Sequence, residues 1–295
     1  MPDDTRVSQP ATFKIRSLSE KFAAEITGLD LRNPLDAATR KAVLGALILH
    51  KALCFRDQSL SGEQQVAFTQ QFGSLELFTI ANRGIDNPLP LLNIVSNLGK
   101  DGKPTGNLET RRWHTDKSFL ATPCFATILH PVILPPAGGE TCFADMHAAY
   151  EALSAREKAE LEGVRVVHSR EYSMRRAGKV PTAQEIEDAG PPMAHPLVRI
   201  NPYSGRKGLF LGEHASHLEG QEEAGRAPID ALEVHATQAQ FVYRHAWQKG
   251  DVLMWDNGSL LHRGDDNFDV GLQARILHRT CLSGAPREMA GASVL

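Results

Sequence analysis

Within Arg112-Trp113-His114-Thr115-Asp116-Lys117-Ser118-Phe119, an imidazole and a carboxylate stand two residues apart. In extended backbone, side chains at i and i+2 leave the same face, so His114 and Asp116 could present nitrogen and oxygen to one ion. Alone the pair is a weak signal, since a half-buried histidine beside a hydrogen-bonded aspartate explains it as simply. A second stretch, Trp255-Asp256-Asn257-Gly258-Ser259-Leu260-Leu261-His262, reads as a strand closed by an Asx-type turn, a rigid carrier for His262. Two neutral imidazoles and one carboxylate leave half an octahedron open, which suits a redox-active Fe(II) that must accept a chelating co-substrate and O2.

Such a site also needs a counter-charge for an anionic ligand. Near the C-terminus, Arg275, Leu277 and Arg279 share one strand face, while Ile276 and His278 take the other. Inward-facing guanidiniums are costly unless they meet anions, and their fork matches carboxylates; on an edge strand both would simply be solvated.

The elements that must position these residues are mostly short strands. Phe13–Arg16 and Ala24–Thr27 alternate as paired strands, and Asp36 caps a helix expected over 37–50. Ala52–Phe55 is a buried strand, and Ser61 with Gln64 forms a capping box before a helix closed by Gly73. Residues 74–112 are loop-rich apart from Leu91–Val95, with turn chemistry at Asn82-Arg83-Gly84, and read as a lid or substrate loop. Apolar 126–134, Glu140–Phe143 and Val164–His168 supply further strands, with helical runs at 145–152 and 155–162. Residues 171–195 read as an irregular insertion, 199–211 as a hairpin and 227–238 as a helix. Strands at 241–247 and 251–255 precede the His262 turn and a last strand, Arg275–Leu282. The pattern predicts a mainly β fold with flanking helices, a β-sandwich or jelly roll in one domain over 1–295.

Composition narrows the class. Of 295 residues, 42% are apolar and 23% charged, enough for a sizeable core. A net charge of -3 offers no footprint for nucleic acid or an anionic membrane. The four cysteines form no CxxC pair, the first residues contain no apolar leader, and no run approaches a membrane span. No glycine-rich phosphate loop is present. A cytoplasmic protein is the expectation.

His114-x-Asp116, the WDN…His262 stretch and the arginine-bearing last strand together resemble the taurine dioxygenase and dichlorophenoxyacetate dioxygenase (TauD/TfdA) family. The resemblance extends from Glu25-Ile26-Thr27-Gly28-Leu29-Asp30-Leu31 through Gln71-Phe72-Gly73 and Pro136-Ala137-Gly138-Gly139-Glu140-Thr141 to Arg279. It implies a double-stranded β-helix, an Fe(II)- and 2-oxoglutarate-dependent oxygenase, and a homo-oligomer. By position, His114, Asp116 and His262 would be the iron ligands. Thr141 and Arg275 would hold the far carboxylate of 2-oxoglutarate, and Arg279 the acid of a small anionic substrate. Leu75-Glu76-Leu77-Phe78-Thr79-Ile80 and Thr110 stand where taurine dioxygenase has polar pocket residues. Leu77, Phe78 and Thr110 are therefore expected to line the substrate pocket. Phe143–Tyr150 and Leu211-Gly212-x-His214-Ala215 are closer to the aryloxyalkanoate-cleaving branch, with hydroxylation followed by ether cleavage. A sulfonate dioxygenase, a non-catalytic jelly-roll metal binder and a zinc hydrolase are the rival readings.

Overall fold

The computed structural model describes residues 13–78, 89–107, 109–284 and 286. The expectations for the first eleven residues, for Asn82-Arg83-Gly84 and for Thr79-Ile80 lie outside them. The chain starts with β1 (Lys14–Ser17) and β2 (Ala24–Thr27), followed by helix α1 (Ala37–His50). The Asp36 carboxylate accepts the Thr39 N–H and starts α1; Lys51, at φ 64°, ends it. β3 (Ala52–Phe55) follows, then α2 (Gly62–Gln70), whose Ser61/Gln64 capping box is present as expected. Next come β4 (Asn93–Ser96), β5 (Cys124–Ile133) and β6 (Thr141–Asp145), then α3 (Met146–Glu151), α4 (Ala155–Glu160) and β7 (Arg165–His168).

The segment 171–195 is not irregular: it forms α5 (Arg170–Arg176), α6 (Ala183–Ala189) and β8 (Met193–Pro196), and β8 pairs with β7. Ser169 caps α5, and a Thr182/Glu185 capping box starts α6. β9 (Val198–Ile200) and β10 (Lys207–Leu209) make the expected hairpin. The remainder is β11 (Ala215–Leu218), α7 (Ala227–Ala236), β12 (Val242–His245), β13 (Val252–Asp256), β14 (Leu260–Gly264) and β15 (Ile276–Ser283).

Two sheets frame the interior. The larger has the order β1-β2-β3-β13-β5-β15-β4, and the smaller β12-β6-β14. One face of the large sheet, with Ile26, Leu53, Phe55, Ile128 and Met254, packs on Val43, Leu44 and Leu47 of α1 and on Phe68 and Phe72. Full burial of each such side chain contributes about 1.5–3 kcal/mol. Its other face, with Leu129, Leu253, Trp255 and Leu277, meets Phe143 and Leu260 of the small sheet. Pro131 lacks an N–H, and the β5–β15 register slips beside it, between Ile276 and Leu277. Among the described residues no helix is long and apolar enough to cross a membrane.

Two expectations near the candidate ligands need correction. Residues 113–116 form no regular strand; a single antiparallel bridge joins His114 to His262. His262 sits inside β14 rather than in a turn, because Asp256–Ser259 already reverses the chain.

Candidate metal centre

The bridge sets the first two ligands side by side. His114 N–H donates to the His262 carbonyl at 3.0 Å, and His262 N–H returns the bond at 2.8 Å. Their ring centroids lie 4.1 Å apart. His114 Nδ1 is 2.8 Å from the Arg112 carbonyl, to which it must donate; Nε2 is left with its lone pair for a metal. His262 Nε2 lies 3.5 Å from Asp116 Oδ2. One ligand atom from each of His114, Asp116 and His262 falls within 4.8 Å of the others, and all three residues are buried. Trp255, with its ring centroid 4.6 Å from that of His262, holds the imidazole by packing.

Asn257 clamps the segment from the large sheet. Its carbonyl accepts Thr115 Oγ1–H at 2.7 Å, its Oδ1 accepts Trp255 Nε1–H at 3.1 Å, and its Nδ2 donates to Thr127 Oγ1 at 2.9 Å. Thr127 in turn donates to Asp116 Oδ2 at 2.6 Å. Gly212 closes the other side: a Cβ there would lie 3.1 Å from His114 Cα and 3.3 Å from the Trp113 carbonyl, and its φ is 121°. The WDN motif is therefore more than a turn, a role that only long-range contacts disclose.

Charge in the site is sorted. Burial opposes ionisation of Asp116, but the Arg279 guanidinium, helped by the Thr127 hydrogen bond, holds its carboxyl well below the usual range. Burial, then His114, keeps His262 well below the ordinary imidazole value and so neutral. A buried carboxylate beside two imidazoles is a donor set that fits Fe(II).

Next to the triad lies a buried cation. Arg275 is 2% exposed and just precedes β15; Asn97 Oδ1 accepts its backbone N–H at 2.8 Å. Its Nε donates to the Gly139 carbonyl at 2.9 Å and its Nη2 to Thr141 Oγ1 at 3.4 Å. Trp247 Nε1 also donates to Thr141 Oγ1, at 3.0 Å, so the threonine hydrogen remains free for a ligand. Burial brings Arg275 down to about 10, still cationic at neutral pH; Glu140 favours its charge, but among the described residues no carboxylate stands at ion-pair distance from it. A bound carboxylate meets that need. Gly138 and Gly139, at φ 78° and 71°, bring the backbone under the guanidinium; a Cβ on Gly139 would lie 3.2 Å from Arg275 Cδ.

Arg279 faces the same interior, with Nη1 2.9 Å from Asp116 Oδ1 and a buried Nε that has no partner among the described residues. Its guanidinium and the Lys117 ammonium lie 5.5 and 5.2 Å from the Phe78 ring centroid, and Lys117 pairs with Glu76 at 2.6 Å. Phe78 thus joins the site, whereas Leu77 is 61% exposed and does not. Thr110 is half-buried, and its buried hydroxyl has no partner among the described residues. Arg263 stacks over Trp113, its Cζ 5.2 Å from the ring centroid. His214 is buried, with Nδ1 2.9 Å from Ser173 Oγ. A second cluster, Cys54, His245 and Asp251, also groups ligand atoms. It is already satisfied: Arg56 donates to both Asp251 oxygens, His245 bonds Asp251 and Tyr243, and burial keeps the Cys54 thiol protonated.

Comparison with known proteins agrees with this geometry. The family model described as "Taurine catabolism dioxygenase TauD, TfdA family" matches residues 14–281. The alpha-ketoglutarate-dependent 2,4-dichlorophenoxyacetate dioxygenase of Cupriavidus pinatubonensis (strain JMP 134 / LMG 1197) is 38% identical over 275 residues, 90% of this chain and 96% of that protein. The (S)-phenoxypropionate/alpha-ketoglutarate-dioxygenase of Sphingobium herbicidovorans is 34% identical, over 93% of this chain and 96% of its own. The crystal structure of AAD-2 in complex with Mn(II) and N-oxalylglycine superposes with a TM-score of 0.82 at 37% identity, over 92% of this chain and 97% of that one.

Proposed function

The chain belongs to the TauD/TfdA family of 2-oxoglutarate-dependent dioxygenases, and from that premise we propose that it hydroxylates the carbon beside the ether oxygen of an aryloxyalkanoate. The two facing sheets are read as the double-stranded β-helix, one domain acting as a unit. His114, Asp116 and His262 hold Fe(II). The bound metal, with 2-oxoglutarate and O2, supplies the C–H oxidation.

The rest falls to the side chains. Arg275 and the free Thr141 hydrogen take the far carboxylate of 2-oxoglutarate and aim its other end at the metal ligands. Arg279, whose Nε has no partner among the described residues, takes the substrate acid, and Phe78 lies against that guanidinium as an apolar wall. Burial of the triad and Trp255 excludes water from the reacting carbon. Hydroxylation at the ether-bearing carbon gives a hemiacetal, whose collapse breaks the C–O bond to a phenol and an oxoacid. The observation that supports this reading is Arg275, a fully buried cation held against Thr141 that, among the described residues, has no carboxylate at ion-pair distance.

Succinate release on a panel of aryloxyacetates, aryloxypropionates and alkylsulfonates tests the substrate class. Phenol-coupled succinate from an aryloxyalkanoate is expected; preference for an alkylsulfonate would overturn it.

A further inference from the structure

On the far side of the Asp256–Ser259 turn lies a cavity of about 330 Å³ that the proposed reaction does not use. The start of β5, the β9–β10 hairpin and the turn line it, through Phe125, Arg199, Tyr203, Phe210, Asp256 and Asn257, and it opens to the surface. Its volume is at the lower end of the roughly 300–1,000 Å³ typical of small-ligand sites.

The chemistry of the wall is selective. Arg199 is half-buried with its Cζ 4.4 Å from the Phe210 ring centroid. Among the described residues no carboxylate forms an ion pair with it; Asp256 is the charge that favours its ionisation, acting against burial. Asp256 is engaged elsewhere, accepting from Gly258 N at 2.7 Å, Ser259 Oγ at 2.5 Å and Asn201 Nδ2 at 3.0 Å. Stacking uses the face of the guanidinium and leaves its N–H edge available to a ligand. Opposite it, Phe125 and Tyr203 meet edge to face with centroids 5.6 Å apart.

We propose that this cavity is a second ligand site, for a small aryl carboxylate, separate from Arg275 and Arg279. The carboxylate sits on the Arg199 fork, and the ring packs among Phe125, Tyr203 and Phe210. A cationic ligand meets repulsion from Arg199. A neutral one leaves the guanidinium unpaired, at the cost that such burial carries. The site does not depend on the reaction assigned above.

Equilibrium dialysis of radiolabelled benzoate against the full metal-free chain tests it. In Arg279→Gln, where acid binding beside the triad is weakened, benzoate should still bind; adding Arg199→Gln should remove one equivalent or weaken it at least tenfold. Benzyl alcohol, of similar size without charge, should compete at least tenfold less well on the unaltered chain, a comparison that survives if a variant misfolds. Benzoate binding that is unchanged by Arg199→Gln, that disappears with Arg279→Gln alone, or that benzyl alcohol matches would each overturn the assignment.

Discussion

At the scale of single residues, the site is an arrangement of charges that need partners. Asp116 is shared between the proposed metal and Arg279, whose Nη1 approaches to 2.9 Å while Nε has no partner among the described residues. One guanidinium thus touches the metal's carboxylate and faces the proposed substrate acid. Charge-assisted bonds of this kind contribute about 1.5–3 kcal/mol. Arg279→Gln should raise KM for the best acid of the substrate panel roughly 10- to 100-fold, with the 2-oxoglutarate dissociation constant unchanged. Equal loss of affinity for both ligands would assign Arg279 to the wrong carboxylate. The types and order of these residues were legible in the sequence. The Arg279–Asp116 pair was not, because 163 residues separate the partners.

Among elements, the decisive one is the β13–turn–β14 unit. β13 is fully buried between β3 and β5, and Asp256 N–H is anchored on the Lys51 carbonyl at 2.9 Å. Lys51 itself pairs with Asp145 in the interior. The end of α1 therefore fixes where the turn starts, and Asn257 transmits that position to Thr115 and Asp116. Asn257→Ala leaves the Trp255 and Thr127 groups short of buried partners, each a loss of about 1–3 kcal/mol. Denaturant unfolding should show at least about 2 kcal/mol of destabilisation, with weaker Mn(II) binding; a change below about 0.5 kcal/mol would contradict the clamp. Periodicity and caps located α1, α2 and β3 because those signals are local, as with Asp36 and Ser61. The Thr182/Glu185 box is equally local, yet the charge run around it obscured α6. The bridge that positions His114 has no local signal, since His262 supplies it.

For the whole molecule, burial lowers the pKa of several histidines, His168, His214 and His262 among them. His168 is fully buried, with Nδ1 2.9 Å from Ser118 Oγ. Burial first, then His195 and Arg199, lowers it from 6.5 to about 3. Its folded value is depressed, so the unfolded chain takes up the proton first. The stability is present above about pH 6.5 and is lost as pH falls toward about 3, by up to about 1.4 kcal/mol per pH unit. Melting temperatures of the parent chain should fall between pH 7 and 5, and His168→Gln should show a shallower fall. Parallel curves for the two proteins would exclude His168 as a source of the acid sensitivity. The layered, sheet-rich architecture was legible from strand spacing and the apolar total. The pairing of distant strands, such as β13 with β3 and β5, was not.

The central claim is that the buried triad and Arg275 together bind Fe(II) and 2-oxoglutarate. Anaerobic titration of the chain with Fe(II) and then 2-oxoglutarate tests it most directly, read by the visible metal-to-ligand charge-transfer band of the chelate. The band should form with one equivalent of each in the parent chain, require at least tenfold more 2-oxoglutarate in Arg275→Gln, and be absent in His114→Ala. A parent chain that forms no band, or a His114→Ala chain that forms it undiminished, would contradict the account.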